Sequence, residues 1–375
     1  MNHHAAAAVD GADGPVLSVE ETYIDHETLS AGRGPLTAVF LHGLLGCGKN
    51  WRSFSKGLAV QAAKREGRDV RSLLVDLRGH GGSAVLGGLH PPHTIAAAGA
   101  DVVRTLAARL GGAPHVLVGL SLGGKVALDV LQRLHAEQAA HLQRLQAELA
   151  AARRRADAGG AEGSGSGGGG GGAPHHHHED LDAAPLAAPH RALPLQCWVL
   201  DSQPGAVAAE ADAQSSVARI LSRSRAALEA EGLPKAVGWW LGSGLVPVSR
   251  REPAGPLRWE FDVPGAAALY HSYRSSCYWP TLERPPPGVT LHVVRGEHSD
   301  RRGAGGGGAR LGGCRLDAAH AAWQVAEVHE SERVGRLKLH VLPNAGHWLQ
   351  ADNPLGLQAM MLPFFRDEKA CYLVP

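Results

Sequence analysis

Short apolar runs recur along the chain: "LTAVFL" (36–41), "VRSLLVD" (70–76), "HVLVGL" (115–120), "QCWVLD" (196–201), "VTLHVVRG" (289–296) and "LKLHVLP" (337–343). Each is continuous rather than alternating, and each is bounded by turn residues. That pattern predicts strands buried on both faces. Amphipathic stretches near 51–66 and 94–110 separate the first three runs. The order β-α-β-α-β predicts a mostly parallel sheet with helices on both faces. A further strand-like stretch, "VLSVEETYI", starts at Val16.

Two stretches break this rhythm. The helix after Leu120 runs on through "LDVLQRLHAEQAAHLQRLQAELAAARRRADA", where Leu142, Leu145 and Leu149 form an apolar stripe. The stripe is expected to pack on its own domain, with pairing to a partner helix as the alternative. The chain then passes into "GGAEGSGSGGGGGGAPHHHHEDLDAAPLAAP", a flexible-linker composition. Residues 136–192 therefore read as a low-complexity insertion, and 301–313 as a smaller one. The tetrad His175 to His178 has no surrounding residues to fix a geometry, so no metal is expected there. Residues 202–288 hold Trp239, Trp240, Trp259, Tyr270, Tyr273, Tyr278 and Trp279. They read as a cap whose aromatic face covers an apolar pocket. The division expected is a core of 16–135, 193–201 and 289–370, a cap of 202–288 and an N-terminal tail of 1–15.

Composition narrows the functional classes. A formal net charge of +1 favours neither nucleic acid nor a membrane surface as partner. No apolar run reaches the roughly 18 residues of a membrane span, and the N-terminus has no signal-peptide pattern. The five cysteines are scattered without a C-x-x-C pair, which points to free thiols in a reducing compartment. An intracellular protein, in cytoplasm or an organelle, is expected. Nothing in the sequence sets an oligomeric state.

"HGLLGCGKNW" (42–51) resembles a phosphate-binding loop, G-x-x-x-x-G-K-[ST], through Gly43, Gly48 and Lys49. Asp76, closing a later strand, would be its magnesium ligand. Asn50 opposes this reading, because it has no hydroxyl for the metal. His42 at the head of the motif opposes it too.

A second motif accounts for more residues. Gly119-Leu120-Ser121-Leu122-Gly123 is G-x-S-x-G between an apolar strand and a helix, the setting of a serine nucleophile on a tight turn. A serine hydroxyl needs a base. His347 in "PNAGHWLQADNP" follows the last strand and gives the chain order Ser, Asp, His. An oxyanion needs backbone donors. They fall to the N–H groups of Leu122, after the nucleophile, and Leu44, in the glycine-rich turn.

"LHGLLGCGKNW", "VDLRGHGGS", "GLSLGGK" and "PNAGHWLQADNP" together resemble the α/β-hydrolase superfamily. Within it they are most similar to the YbfF esterases and the α/β-hydrolase domain-containing protein 11 type. The resemblance covers about 36–130, 195–205 and 289–366. It implies the α/β-hydrolase fold with a helical cap and an acyl-serine mechanism on a small-molecule ester or thioester, with no metal or organic cofactor. Two departures stand out: Leu120, where that group often has His, and the long insertion. For the acid that orients His347 the superfamily commonly uses the strand before the last, which offers Asp300 with Glu297 behind it. The nearer subgroup uses an Asp one strand earlier, which is Asp201 at the end of "CWVLD". Asp201 is preferred, because a strand end aims a side chain more rigidly than the glycine-rich stretch beside Asp300. A non-catalytic small-molecule-binding protein on the same fold is the alternative.

Overall fold

The computed structural model describes residues 16–26, 34–160, 192–207, 244–249, 255–299, 310–311, 314–315 and 336–365. Seven strands form one sheet: β1 (Val19–Ile24), β2 (Leu36–Leu41), β3 (Val70–Val75), β4 (Val116–Leu120), β5 (Gln196–Leu200), β8 (Thr290–Gly296) and β11 (Leu337–Leu342). Their spatial order is β1-β3-β2-β4-β5-β8-β11. Every pairing is parallel except the edge pair β1–β3. Two small antiparallel pairs lie outside it: β6 (Leu245–Pro247) with β7 (Leu257–Trp259), and β9 (Arg310–Leu311) with β10 (Cys314–Arg315).

The continuous apolar runs have a direct cause. Successive side chains point to opposite faces, and both faces are covered. Val39, Leu41, Leu117, Cys197 and Val199 face one core, with helices α2 (Ile95–Leu110) and α3 (Leu122–Gly160). Ala38, Phe40, Val118, Trp198 and Leu200 face the other. That side is closed by α1 (Arg52–Glu66) and, after the short α6 (Leu349–Asp352), by α7 (Pro354–Met361). Charged side chains guard the β1 edge, where Arg52 meets Glu20 at 2.5 Å and Arg71 meets Glu21 at 2.6 Å.

The stretch expected to form a cap includes α4 (Val263–Ser275) and α5 (Trp279–Glu283). Their anchor is Lys125 of α3, which is fully buried. Its ammonium donates to the carbonyls of Gly205 (2.8 Å), Ser276 (2.9 Å) and Tyr273, and it lies 4.3 Å from the Tyr273 ring centre. A buried cation is tolerable because carbonyl oxygens replace its water. Tyr278 adds a bond from its hydroxyl to Asp129 Oδ1, 3.0 Å.

Two expectations need correction. The Leu142, Leu145 and Leu149 stripe does not pack on the domain: these side chains are about half exposed on the outer part of α3. Not all thiols are free, since Cys277 is disulfide-bonded, while Cys47 and Cys197 are free and buried. The His175 to His178 tetrad, Trp239, Trp240 and Asp300 lie outside the described residues. No helix among the described residues is long and apolar enough to cross a membrane, and no cluster of metal-ligating side chains occurs among them.

Candidate active site

The parallel strands deliver their C-terminal ends to one edge of the sheet, where an open α/β sheet carries its sites. Ser121 follows β4, Asp201 follows β5, Ser299 lies beyond β8, and His347 lies beyond β11. The 42–48 turn follows β2 and Asp76 follows β3.

β4 passes into α3 through Ser121 alone, which holds φ at 53°. A non-glycine residue pays on the order of 1–2 kcal/mol to sit in this left-handed region. The turn is possible only because its neighbours lack side chains. A Cβ on Gly123 would stand 2.6 Å from the carbonyl oxygens of both Leu41 and His42, and one on Gly119 would stand 2.1 Å from the Gly123 oxygen. The glycine-rich turn lies directly beside the serine, since a Cβ on Gly43 would be 3.5 Å from Ser121 Cβ. Leu122 opens α3, so its N–H has no intrahelical acceptor.

Asp201 also has positive φ, 42°, and its carboxylate is buried. Oδ2 lies 2.5 Å from His347 Nδ1 and accepts from the Ser299 hydroxyl at 2.7 Å. The acidic residue that meets His347 is thus Asp201 of β5. Glu297 instead accepts from the Asn344 N–H at 2.9 Å and lies 3.7 Å from His298.

The phosphate-loop residues have other partners. The Lys49 ammonium is 2.6 Å from Glu260, tying the turn to the end of the β6–β7 ribbon. Asp76 accepts from the N–H groups of Gly48 (2.6 Å) and Gly82 (2.8 Å), so its carboxylate holds two backbone loops.

Two buried histidines went unassigned in the sequence. His42 Nε2 accepts from the Leu77 N–H at 2.9 Å, and His80 Nε2 accepts from the Leu45 N–H at 3.0 Å. Burial, the larger cause in each case, pushes His42 down to about 4 and His80 down to about 3; for His80 the neighbouring His42 adds to it. Both rings are neutral near pH 7. Ser299 and Glu260 were missed as well. Their partners lie 98 and 211 residues away, so no local pattern could expose them.

The α/β-hydrolase fold family's sequence model matches residues 39–141, which span the glycine-rich turn and Ser121. A solved marine-microorganism esterase superposes over 93% of this chain and 99% of its own, with a TM-score of 0.55 at 16% identity.

The chain has the α/β-hydrolase fold.

Further solved structures share the architecture. E-2-(acetamidomethylene)succinate hydrolase matches with a TM-score of 0.51 at 20% identity, over 93% of this chain and 94% of that one. An esterase from Exiguobacterium antarcticum matches with a TM-score of 0.51 at 12% identity, over 93% and 96%. At these identities the likeness concerns the fold. Sequence similarity is higher but local to the mouse sn-1-specific diacylglycerol lipase ABHD11, 40% identical over 103 residues. That stretch is 26% of this chain and 30% of the mouse protein, so the chain matches less than a third of that relative's length.

Proposed function

We propose that the protein is a serine hydrolase that cleaves carboxylic esters or thioesters through an acyl-Ser121 intermediate. The observation that carries this reading is the 2.5 Å contact between Asp201 Oδ2 and His347 Nδ1, beyond the same sheet edge that presents Ser121. With Nδ1 engaged by the carboxylate, Nε2 is the nitrogen that takes the Ser121 proton.

Ser121 Oγ attacks the acyl carbonyl while its proton passes to His347. Asp201 keeps the imidazole in the Nδ1–H tautomer and stabilises the imidazolium. The tetrahedral oxygen is held by the N–H groups of Leu44 and Leu122. His347 then donates its proton to the leaving alcohol or thiol, and the C–O or C–S bond breaks. Water attacks the acyl-serine with His347 again as base, releasing the acid and restoring Ser121.

The substrate suggested is a small ester or thioester with an apolar acyl group. Trp259, Phe261, Tyr270, Tyr273 and Trp348 belong to, or pack against, the apolar cluster on the cap side of the sheet. The mouse relative is a diacylglycerol lipase, which agrees with apolar acyl chains. An open groove of about 810 Å³ along α4, lined by His93, Thr94, Asp262 and His271 among others, includes none of Ser121, Asp201 or His347 and is not assigned to this chemistry.

Covalent labelling by a fluorophosphonate tests the proposal. Folded wild type should label and Ser121→Ala should not, and p-nitrophenyl esters of increasing acyl length should be turned over. Absence of labelling in folded wild type overturns the hydrolase reading and leaves a binding protein on this fold.

A further inference from the structure

We infer that His42 and His80 are positioning residues that aim the Leu44 N–H at the reacting oxygen, an assignment that rests on the hydrolase reading above. In the turn after β2, Leu45 donates to His80 Nε2 (3.0 Å), Gly46 to the Gly43 carbonyl (3.1 Å), Cys47 to Asn50 Oδ1 (2.8 Å) and Gly48 to Asp76 Oδ1 (2.6 Å). Four successive N–H groups therefore have acceptors within the protein. The N–H of Leu44 has no acceptor among the described residues, although Leu44 is 6% exposed and its turn lies against Ser121. A buried N–H without an acceptor is costly unless a ligand oxygen supplies one.

The direction of that N–H is set from the other end of its peptide. In a planar trans peptide the carbonyl of one residue and the N–H of the next point opposite ways. The Gly43 carbonyl faces two donors, Gly46 N–H and the Nδ1–H of His42 at 2.7 Å. Holding that oxygen on one side turns the Leu44 N–H to the other. His42 can donate from Nδ1 because its Nε2 is occupied as an acceptor by the Leu77 N–H.

His80 performs the same task one peptide later. Leu45 has φ at 59°, a conformation a branched residue adopts only when its surroundings impose it. The bond from Leu45 N–H to His80 Nε2 imposes it, and His80 Nδ1 donates in turn to the Arg78 carbonyl at 2.9 Å. The two rings are neighbours, 5.2 Å between centres, and both are buried. Each carries its proton on Nδ1 and accepts at Nε2. The turn after β2 and the turn after β3 are thus joined by two rings, each accepting a backbone N–H from the other turn.

Three measurements test this. Wild type is first labelled with a fluorophosphonate; failure there overturns the hydrolase reading and this assignment with it. Given labelling, His80→Phe, which deletes the acceptor, should lower kcat by roughly ten- to a hundred-fold, less than the roughly hundred- to thousand-fold seen when an oxyanion donor is removed outright, with KM changed little. His80→Gln, which keeps an amide oxygen to accept and an N–H to donate, should recover most of the loss. Unchanged kcat in folded His80→Phe, or equal loss in both variants, overturns the assignment while the hydrolase reading stands. The third measurement needs no variant: ring ¹⁵N shifts of wild type should show His42 and His80 as neutral Nδ1–H tautomers. An Nε2–H tautomer at either ring overturns the assignment even if His80→Phe does not fold.

Discussion

Asp201 Oδ2 lies 2.5 Å from Nδ1 of His347, although 146 residues separate them in the chain. The carboxylate comes from the end of β5, while the imidazole follows β11, and β8 runs between those two strands. Ser299, beyond β8, closes the gap with its hydroxyl on the same oxygen. Asp201→Asn should therefore keep the fold and lower kcat severely, by as much as ~10⁴-fold as in a well-studied triad. Asp300→Asn should stay near wild type. Parallel p-nitrophenyl ester kinetics decide between them, and collapse of Asp300→Asn alone would reverse the assignment.

Ser299→Ala should act more mildly. It removes one donor to the buried carboxylate but leaves His347 in place. A fall in kcat of about tenfold is expected, in line with roughly 1.4 kcal/mol for one charge-assisted bond. A loss as large as that of Asp201→Asn would show that Ser299 does more than hold the carboxylate.

Lys125 predicts a stability effect. Lys125→Met keeps most of the volume but leaves the Gly205, Tyr273 and Ser276 carbonyls without their shared donor. Each orphaned acceptor costs roughly 1–3 kcal/mol before relaxation and water penetration reduce it. A net loss of about 2–4 kcal/mol in urea unfolding is expected. A midpoint equal to wild type would refute the anchoring role.

Three histidines set an acid limit on stability. Burial, the largest cause for each, holds His42 at about 4, His80 at about 3 and His292 at about 2, against an ordinary value of 6.5. His292 is stacked on Trp198 with ring centres 3.8 Å apart, and its Nδ1 is 3.0 Å from His340 Nε2. Because the native values are depressed, the unfolded chain binds more protons below about pH 6.5. The contribution of these rings is fully present above that pH and is lost as pH falls through the native values. Each should cost about 1.4 kcal/mol per pH unit in that window. Urea midpoints from pH 7 to 4.5 should fall, and should fall less steeply in His292→Phe. A flat profile would show that these rings are not held neutral.

Residues 156–190 should be dispensable. Loop closure costs only about 0.6 kcal/mol per doubling of length. Replacing them with a short Gly-Ser linker should leave soluble protein and ester turnover close to wild type. Loss of soluble protein would mean the segment packs on the fold or binds something it needs.

Strand positions, the parallel sheet and Ser121 on its turn were legible in the sequence, because local chemistry enforces them. A strand buried on both faces must be apolar throughout, as "LTAVFL" and "HVLVGL" are, and the turn at Ser121 must have glycines where a Cβ would strike the backbone of Leu41 and His42. Other features depended on which strand ends lie side by side. Asp201 and Asp300 both follow strands, and the contact of Asp201 with His347 across the intervening β8 arises only in the folded sheet. Lys49 fitted a phosphate-loop pattern that Asn50 and His42 already opposed, but its partner Glu260, far along the chain, is met only in space. His42 and His80 looked like two among 22 histidines. Their backbone partners exist only once the β2 and β3 turns are folded together, because a ring nitrogen's role depends on the atoms the fold brings to it. The exposed leucines of α3 show the same limit from the other side. A helical stripe records which side chains share a face, while only the three-dimensional arrangement decides whether that face is covered.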